Sequence, residues 1–301
     1  MRIATFNLQN MRLRADHLEG ARDADMPKDQ QQQSQALDHQ DRRLSAQVIR
    51  DTQADIIALQ EVFDLPSLEA FHDRFLVPSG SSYPHRICLP GNDGRGLDVA
   101  ALSCLTPNDI QSHAQETAHS LGLSLPDLPP DQPIFRRDVL RLTFGALTLY
   151  ICHFKAPYPD TPRTWAIRHA EALALRKIIQ RDHPDRYAQA LWLVLGDLNE
   201  PQNGPHALPP LLQISVDLMQ RVPKSQRWSW HHPPTHLYGI PDAMLASPAL
   251  AQRFPKAQPN ILREGMSRET HRYAGPHLPD VGHHRPHASD HAAVVIDFPG
   301  L

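Results

Sequence analysis

The stretch that most constrains this chain is residues 191–200, LWLVLGDLNE. Five consecutive apolar residues, 191–195, run straight into Gly196 and Asp197, with Asn199 two places further on. A segment apolar at every position, and bounded this sharply, reads as a strand buried on both faces. Gly196 lets the backbone turn or approach a ligand closely. Side chains at i and i+2 of an extended chain point the same way, so a carboxylate and an amide project together from the strand's carboxyl end. An acid that close to a core needs a metal, a proton or a hydrogen-bond network. Taken alone, the same letters also describe a strand end with a turn aspartate.

The pattern recurs along the chain. A strand at 3–6 ends in Asn7, one at 56–59 emerges at Glu61, and one at 147–152 ends in His153 with Lys155 just beyond. Asp98 lies in a strand at 97–103, where an inward acid needs a partner. Asp242 opens a strand through 245, and Ser289, Asp290 and His291 immediately precede the apolar strand 292–296. Each residue has a plainer use on its own: Asn7 as a turn cap, His153 as a satisfied structural imidazole, Lys155 as a solvated cation. Glu61 is the stronger candidate for a metal ligand, because hard cations such as Mg²⁺ prefer carboxylate oxygens. If the last strand runs antiparallel to its neighbours, its start lies at the same rim as the other strands' ends, and seven polar groups gather there.

Length and composition set the frame. A chain of 301 residues can bury a sizeable core, and a single domain over 1–301 is expected, with a polar surface loop near residues 14–42. The net charge of −3 gives no broad electrostatic footprint for duplex nucleic acid, although a local basic channel is compatible with it. Three scattered cysteines suit neither a disulfide framework nor a zinc knuckle and suggest a reducing compartment. A strand beginning at Arg2 leaves no room for a cleavable signal peptide, and no apolar run is long enough to span a bilayer. A soluble cytoplasmic protein without membrane insertion or an evident protein partner is therefore expected. The clearest helix covers 164–181, with Ile167, Ala170, Ala174 and Ile178 as its core stripe and Arg168, Glu171 and Lys177 off it. A second helix is expected over 43–52. Arg136 and Arg137 read as an exposed charged strand edge in preference to a substrate contact. The tryptophans of RWSWHH at 227–232 read as packing under a loop in preference to stacking on a base or sugar, and the histidines of 271–287 lack metal-ligand spacing.

Six short motifs occur in order: TFN at 5–7, LQE at 59–61, the His of HFK at 153, GDLN at 196–199, Asp242 five residues before Ser247, and SDH at 289–291. Together they resemble the endonuclease/exonuclease/phosphatase superfamily, the group of DNase I, the abasic-site endonucleases, sphingomyelinases and inositol phosphatases. GDLN with SDH in this order is the specific part of the match. The resemblance is closest to a bacterial branch that carries H[FL]K after the strand, and it implies no particular substrate. It implies an α/β fold, a four-layer α/β/β/α sandwich of two mixed β-sheets flanked by helices, and metal-dependent hydrolysis of phosphate esters.

Chemistry and resemblance together suggest roles. Glu61 is the primary ligand of a bound Mg²⁺ or Mn²⁺, with Asn7 beside it and Asp290 binding or orienting the metal. Asp197 takes the proton from the attacking water, Asn199 holds the phosphate by its amide, and His291 donates to a phosphate oxygen. Asp242 fixes the tautomer of His291 and raises its pKa. His153 is the second histidine, Lys155 can reach a phosphate, and Asp98 is expected to pair with His153. The implied enzyme is a nuclease-like phosphodiesterase acting on nucleic acid or nucleotides. The alternatives are a phosphatase or phospholipid-type phosphodiesterase and, in another class, an inactive binding protein on the same fold. No match to the tyrosine-bearing loop of abasic endonucleases is present, which argues against abasic-site repair. Neither is a long Lys- or Arg-rich loop for a duplex groove. Ala243 stands where the family often has an aromatic residue or His.

Overall fold

The structure, a computed structural model, describes every residue except 21–30, 127, 159–161, 202 and 204. Two six-stranded sheets carry the architecture. The first runs in the order β15 (Asn260–Leu262), β16 (Ala293–Asp297), β1 (Arg2–Met11), β4 (Ile56–Val62), β6 (Asp98–Ser103) and β5 (His85–Cys88). The second runs β11 (Val216–Asp217), β14 (Asp242–Ala246), β10 (Leu191–Asp197), β9 (Leu147–His153), β8 (Val139–Phe144) and β7 (Asp109–Ser112). Each sheet has one parallel pair at its middle, β1 with β4 and β10 with β9, and antiparallel pairs outward. Two small ribbons, β2 (Leu13–Arg14) with β3 (His17–Leu18) and β12 (Trp230–His232) with β13 (Leu237–Gly239), lie outside the sheets.

Period-two alternation assigns the layers. Ile3, Ile56, Ala58, Leu149, Ile151, Leu193 and Leu195 share one core between the two sheets. Their neighbours turn the other way. Ala4, Phe6, Ile57 and Leu59 pack under helices α1 (Gln31–Thr52) and α2 (Leu65–Phe71). Tyr150, Cys152, Trp192 and Val194 pack under α3 (Pro162–Asp182) and the short α4 (Pro209–Leu212). Helix α5 (Pro248–Arg253) adds Leu250 and Ala251 to the central core. The result is the four-layer sandwich that strands apolar on both faces require, with two mixed sheets inside and helices outside.

Three local expectations change. The segment expected as a surface loop near 14–42 holds the β2–β3 ribbon, and helix α1 begins at Gln31, well before the expected start at residue 43. Glutamine is a good helix former, and Asp38 and Asp41 are held in the buried network of Arg285. Residues 21–30 of that segment lie outside the described residues. In α3 the expected stripe is rotated: Arg168 and Glu171 are buried, and Ile167 is half-exposed. Buried Glu171 is satisfied by backbone donors, the N–H of Arg136 at 3.0 Å and that of Lys155 at 2.8 Å. Finally, β1 runs past Asn7 to Met11 through a register shift, with Gln9 and Asn10 at φ +48° and +57°. Among the described residues no helix is long and apolar enough to cross a membrane.

Candidate active site

One rung of the second sheet supplies half of the site. Asp197 is the register partner of His153 on the parallel side and of Asp242 on the antiparallel side. All three follow the parity of Leu195, Ile151 and Met244, so they fall on the face turned toward the first sheet. Gly196 makes the rung possible. At φ +133°, a Cβ there would lie 2.0 Å from the Cys152 carbonyl oxygen, so only glycine allows β10 this close to β9.

The first sheet supplies the other half through departures from regular pairing. Glu61 would by alternation share the side of Ile57 and Leu59, away from the second sheet. Instead it is the extra residue between Gln60↔Val99 and Val62↔Asp98, at φ +62°. A bulge of this kind re-aims a side chain, and a non-glycine residue held there is strained. The Glu61 carboxylate accepts the Asn10 backbone N–H at 2.8 Å. On the second sheet's side Asn199, two residues beyond β10 and at φ +53°, donates its backbone N–H to Asp197 at 3.0 Å and one amide N–H to the Phe154 carbonyl at 3.1 Å.

These halves meet at Asp197. The Asn7 amide crosses from the first sheet and donates to Asp197 Oδ2 at 3.1 Å. His153 Nε2 lies 3.5 Å and His291 Nε2 3.8 Å from the same oxygen. On its far side His291 Nδ1 pairs with Asp242 Oδ2 at 2.9 Å, and the Ser229 hydroxyl donates to that oxygen at 2.6 Å. Ser289 donates to the Asn7 carbonyl at 2.7 Å and accepts the His291 N–H, which pins the start of β16 to β1. Because β16 is antiparallel to β1, its start does share the rim.

Burial and charge tune the groups. Burial lifts the Asp197 carboxyl to about 7; His291 and the Asn7 hydrogen bond oppose this, while Asp242 and Glu61 add to it. Burial pulls the His291 imidazole down, but Asp242, Asp290 and Asp197 outweigh it and push it up to about 10. His153 shares Asp197 but has no carboxylate on its Nδ1. Burial, then Arg137 and His291, hold it well below the usual imidazole range, which favours the neutral form.

Asp98 does not pair with His153. It opens β6, and its Oδ2 accepts the Gly91 N–H at 3.0 Å, while Asp98 Oδ1 and His153 Nδ1 are both buried without a hydrogen-bond partner. Lys155 turns its ammonium onto the Ala156 and Tyr158 carbonyls at 3.0 and 2.9 Å. Asp290 accepts the Trp230 indole N–H at 3.1 Å. Trp230, whose ring lies 6.5 Å from that of His291, was not anticipated as a site residue; only Trp228 packs beneath the loop as expected. Ser229 and Gln9 were also not anticipated. Gln9 Oε1 faces His287 Nε2 at 2.9 Å and the Asp290 N–H at 3.3 Å, which a sequence pattern does not signal. Of the loop histidines, His287 is thus structural, and His283 and His284 sit against Glu269.

Among the described residues no three His, Cys, Asp or Glu side chains form a cage for a metal ion. The donor set fits a different kind of site. Glu61 is half-exposed, makes no ion pair among the described residues, and shares the centre with Asp197, Asp242 and the Asn7 amide. One or two hard oxygen ligands with room for water suit Mg²⁺ or Mn²⁺, which give up their water reluctantly, and do not suit zinc.

Comparison with known proteins identifies the family and the fold. The family model described as Endonuclease/Exonuclease/phosphatase family matches residues 4–291. No curated protein matches the sequence. Among solved structures, the 3'-5' exonuclease of Neisseria meningitidis is similar at 18% identity and a TM-score of 0.55, with 99% of each chain covered. An AP endonuclease from Archaeoglobus fulgidus gives 16% identity and 0.56, again with 99% of each chain covered. A mannosyl-6-phosphatase of Bacteroides thetaiotaomicron gives 12% and 0.57, covering 99% of this chain and 98% of its own. At these identities the likeness is one of fold. With nearly the whole chain matched, and the matched motifs converging on Asp197, the chain belongs to the endonuclease/exonuclease/phosphatase family, whose members hydrolyse phosphate esters and generally depend on a divalent metal.

Proposed function

We propose that this protein is a divalent-metal-dependent phosphodiesterase of the nuclease type. The observation that carries the reading is the convergence on Asp197: a buried carboxyl lifted to about 7, flanked by one neutral and one cationic imidazole. A general base works best with a pKa near the operating pH, and Asp197 takes the proton from an attacking water. His291, kept protonated against Asp242, donates its Nε2–H to a phosphate oxygen as charge builds in the transition state. Neutral His153 donates a second N–H from the opposite side of Asp197. The Asn199 amide keeps one N–H for the phosphate after bonding Phe154.

Glu61, with Asn7 and Asp290 beside it, would hold the metal, which when bound offsets charge on the phosphate and leaving oxygens. Trp230 fixes the Asp290 carboxylate and offers a flat wall next to His291. The test is turnover of bis-p-nitrophenyl phosphate with Mg²⁺ or Mn²⁺, with and without EDTA. Expected is activity that disappears with EDTA and returns with metal. Absence of metal-dependent turnover of this ester, of single-stranded DNA, of RNA and of phospholipid would overturn the proposal.

A further inference from the structure

A cleft of about 1510 Å³ opens next to this centre. The two are joined at one atom: the Phe154 carbonyl oxygen accepts from Asn199 at 3.1 Å and from Arg137 at 3.0 Å, and Arg137 lines the cleft. Its lining carries five cations, Arg95, Arg136, Arg137, Lys155 and Arg163, against one carboxylate, Asp93. Asp93 is already engaged by Arg95 at 3.0 Å and Arg137 at 3.1 Å. The guanidinium groups of Arg136 and Arg163 make no hydrogen bond or ion pair with any described residue; Arg163 is exposed, Arg136 is partly buried, and both line the same trough. In a chain of net charge −3 this is a local reversal of sign.

The same lining also carries aromatic and apolar side chains. Trp165 and His169 lie parallel at 4.8 Å and 10°, on the first turns of α3, with Leu125, Leu128 and Leu173 nearby. Guanidinium groups without a hydrogen-bond partner among the described residues, in one cleft with a stacked aromatic pair, match a chain in which phosphates alternate with bases. A duplex hides its bases and calls for a broad basic face, which a net charge of −3 does not favour. A small sugar phosphate leaves the apolar floor unused.

We propose that the cleft is a subsite for single-stranded nucleic acid, holding the strand that extends from the scissile phosphate. Arg136 and Arg163 take its phosphates, and the Trp165–His169 step takes a base. This rests on the phosphodiesterase reading above and names its substrate class.

The experiment measures fluorescence anisotropy of a fluorescein-labelled oligothymidylate on the full chain in EDTA. Steady-state kinetics with Mg²⁺ follow for the same oligonucleotide and for bis-p-nitrophenyl phosphate. The double variant Arg136→Ala/Arg163→Ala is expected to bind about tenfold more weakly, with the salt slope of log affinity flattened by about 1.4. Trp165→Ala is expected to lose about tenfold and Trp165→Phe to keep most of the affinity. In each weakened variant KM for the oligonucleotide rises while turnover of bis-p-nitrophenyl phosphate is unchanged. Unaltered oligonucleotide affinity in both the double variant and Trp165→Ala overturns the subsite. So does a loss confined to phosphatidylglycerol vesicles, which assigns the cleft to lipid. A wild-type protein that binds the oligonucleotide through the cleft yet hydrolyses no ester overturns the catalytic reading instead.

Discussion

The two sheets build their halves of the site in opposite ways. The second sheet does it by regularity: Asp242, Asp197 and His153 are consecutive partners on one rung, and ordinary alternation aims them. The first sheet does it by exception: Gln9, Asn10 and Glu61 all sit at positive φ, where the ladder slips. A rung fixes groups at strand spacing and costs nothing in backbone strain. A bulge sets an angle that no rung offers, and it costs about 1–3 kcal/mol per strained residue. The difference teaches that the acid–base groups need a fixed mutual distance, whereas the carboxylate meant for a metal needs a direction.

Breaking the regular half should have the largest effect. Gly196→Ala puts a methyl into the Cys152 carbonyl, so a loss of about 3–5 kcal/mol is expected, together with activity. Chemical denaturation measures it, and an unchanged midpoint would mean that β9 and β10 are not held at this distance. Next comes Asp197→Asn, which keeps the shape of the rung but removes the proton acceptor. Turnover should fall by on the order of a hundredfold or more with the circular dichroism unaltered. Equal activity would remove Asp197 from that role.

The third prediction concerns Asp138, just before β8 of the same sheet, whose Oδ1 accepts the His113 N–H at 2.8 Å while Oδ2 is unpartnered. Burial lifts its carboxyl from 3.8 to about 6. A raised acid binds its proton more tightly folded than unfolded, so stability is highest below pH 4 for this group and falls as pH rises toward 6. Asp138→Asn, which retains the acceptor, should remove that slope, worth on the order of 2–3 kcal/mol. Melting temperatures of both proteins between pH 4 and 7 decide it, and parallel curves would refute the burial argument.

The smallest effect sharpens the irregular half. Glu61→Gly relieves the left-handed conformation and should stabilise the fold by about 1 kcal/mol while abolishing metal-dependent turnover. A destabilised Glu61→Gly would mean that the bulge is held by the side chain rather than endured by it.

The same contrast explains what the sequence made legible. Polar residues that close uninterrupted apolar runs mark buried strand ends, so Asp197 and His153 could be read from residue order, whereas the two-sheet sandwich came from the family resemblance. Glu61 and Asn7 were readable as letters at strand exits, but not the slipped register that turns Glu61 inward. Ser229, Gln9 and Trp230 act through contacts 13, 278 and 60 residues away in the chain, which no local pattern encodes. The Asp98–His153 pairing fails because one Asp98 oxygen takes a backbone N–H seven residues away, a partner that side-chain chemistry read from the sequence does not name. Arg168 and Glu171 were put on the wet face of α3 by charge alone, and the backbone donors that allow Glu171 to be buried come from other elements.

That buried carboxylate has a further consequence. Glu171 grips the main chain at Arg136 with one oxygen and at Lys155 with the other, so two of the segments that line the trough are tied to a single point on α3. Their separation is inherited from a helix docked on the sheet rather than from the give of two loops. The groove is a mould cast before its guest arrives, and what fits it is decided by the fold.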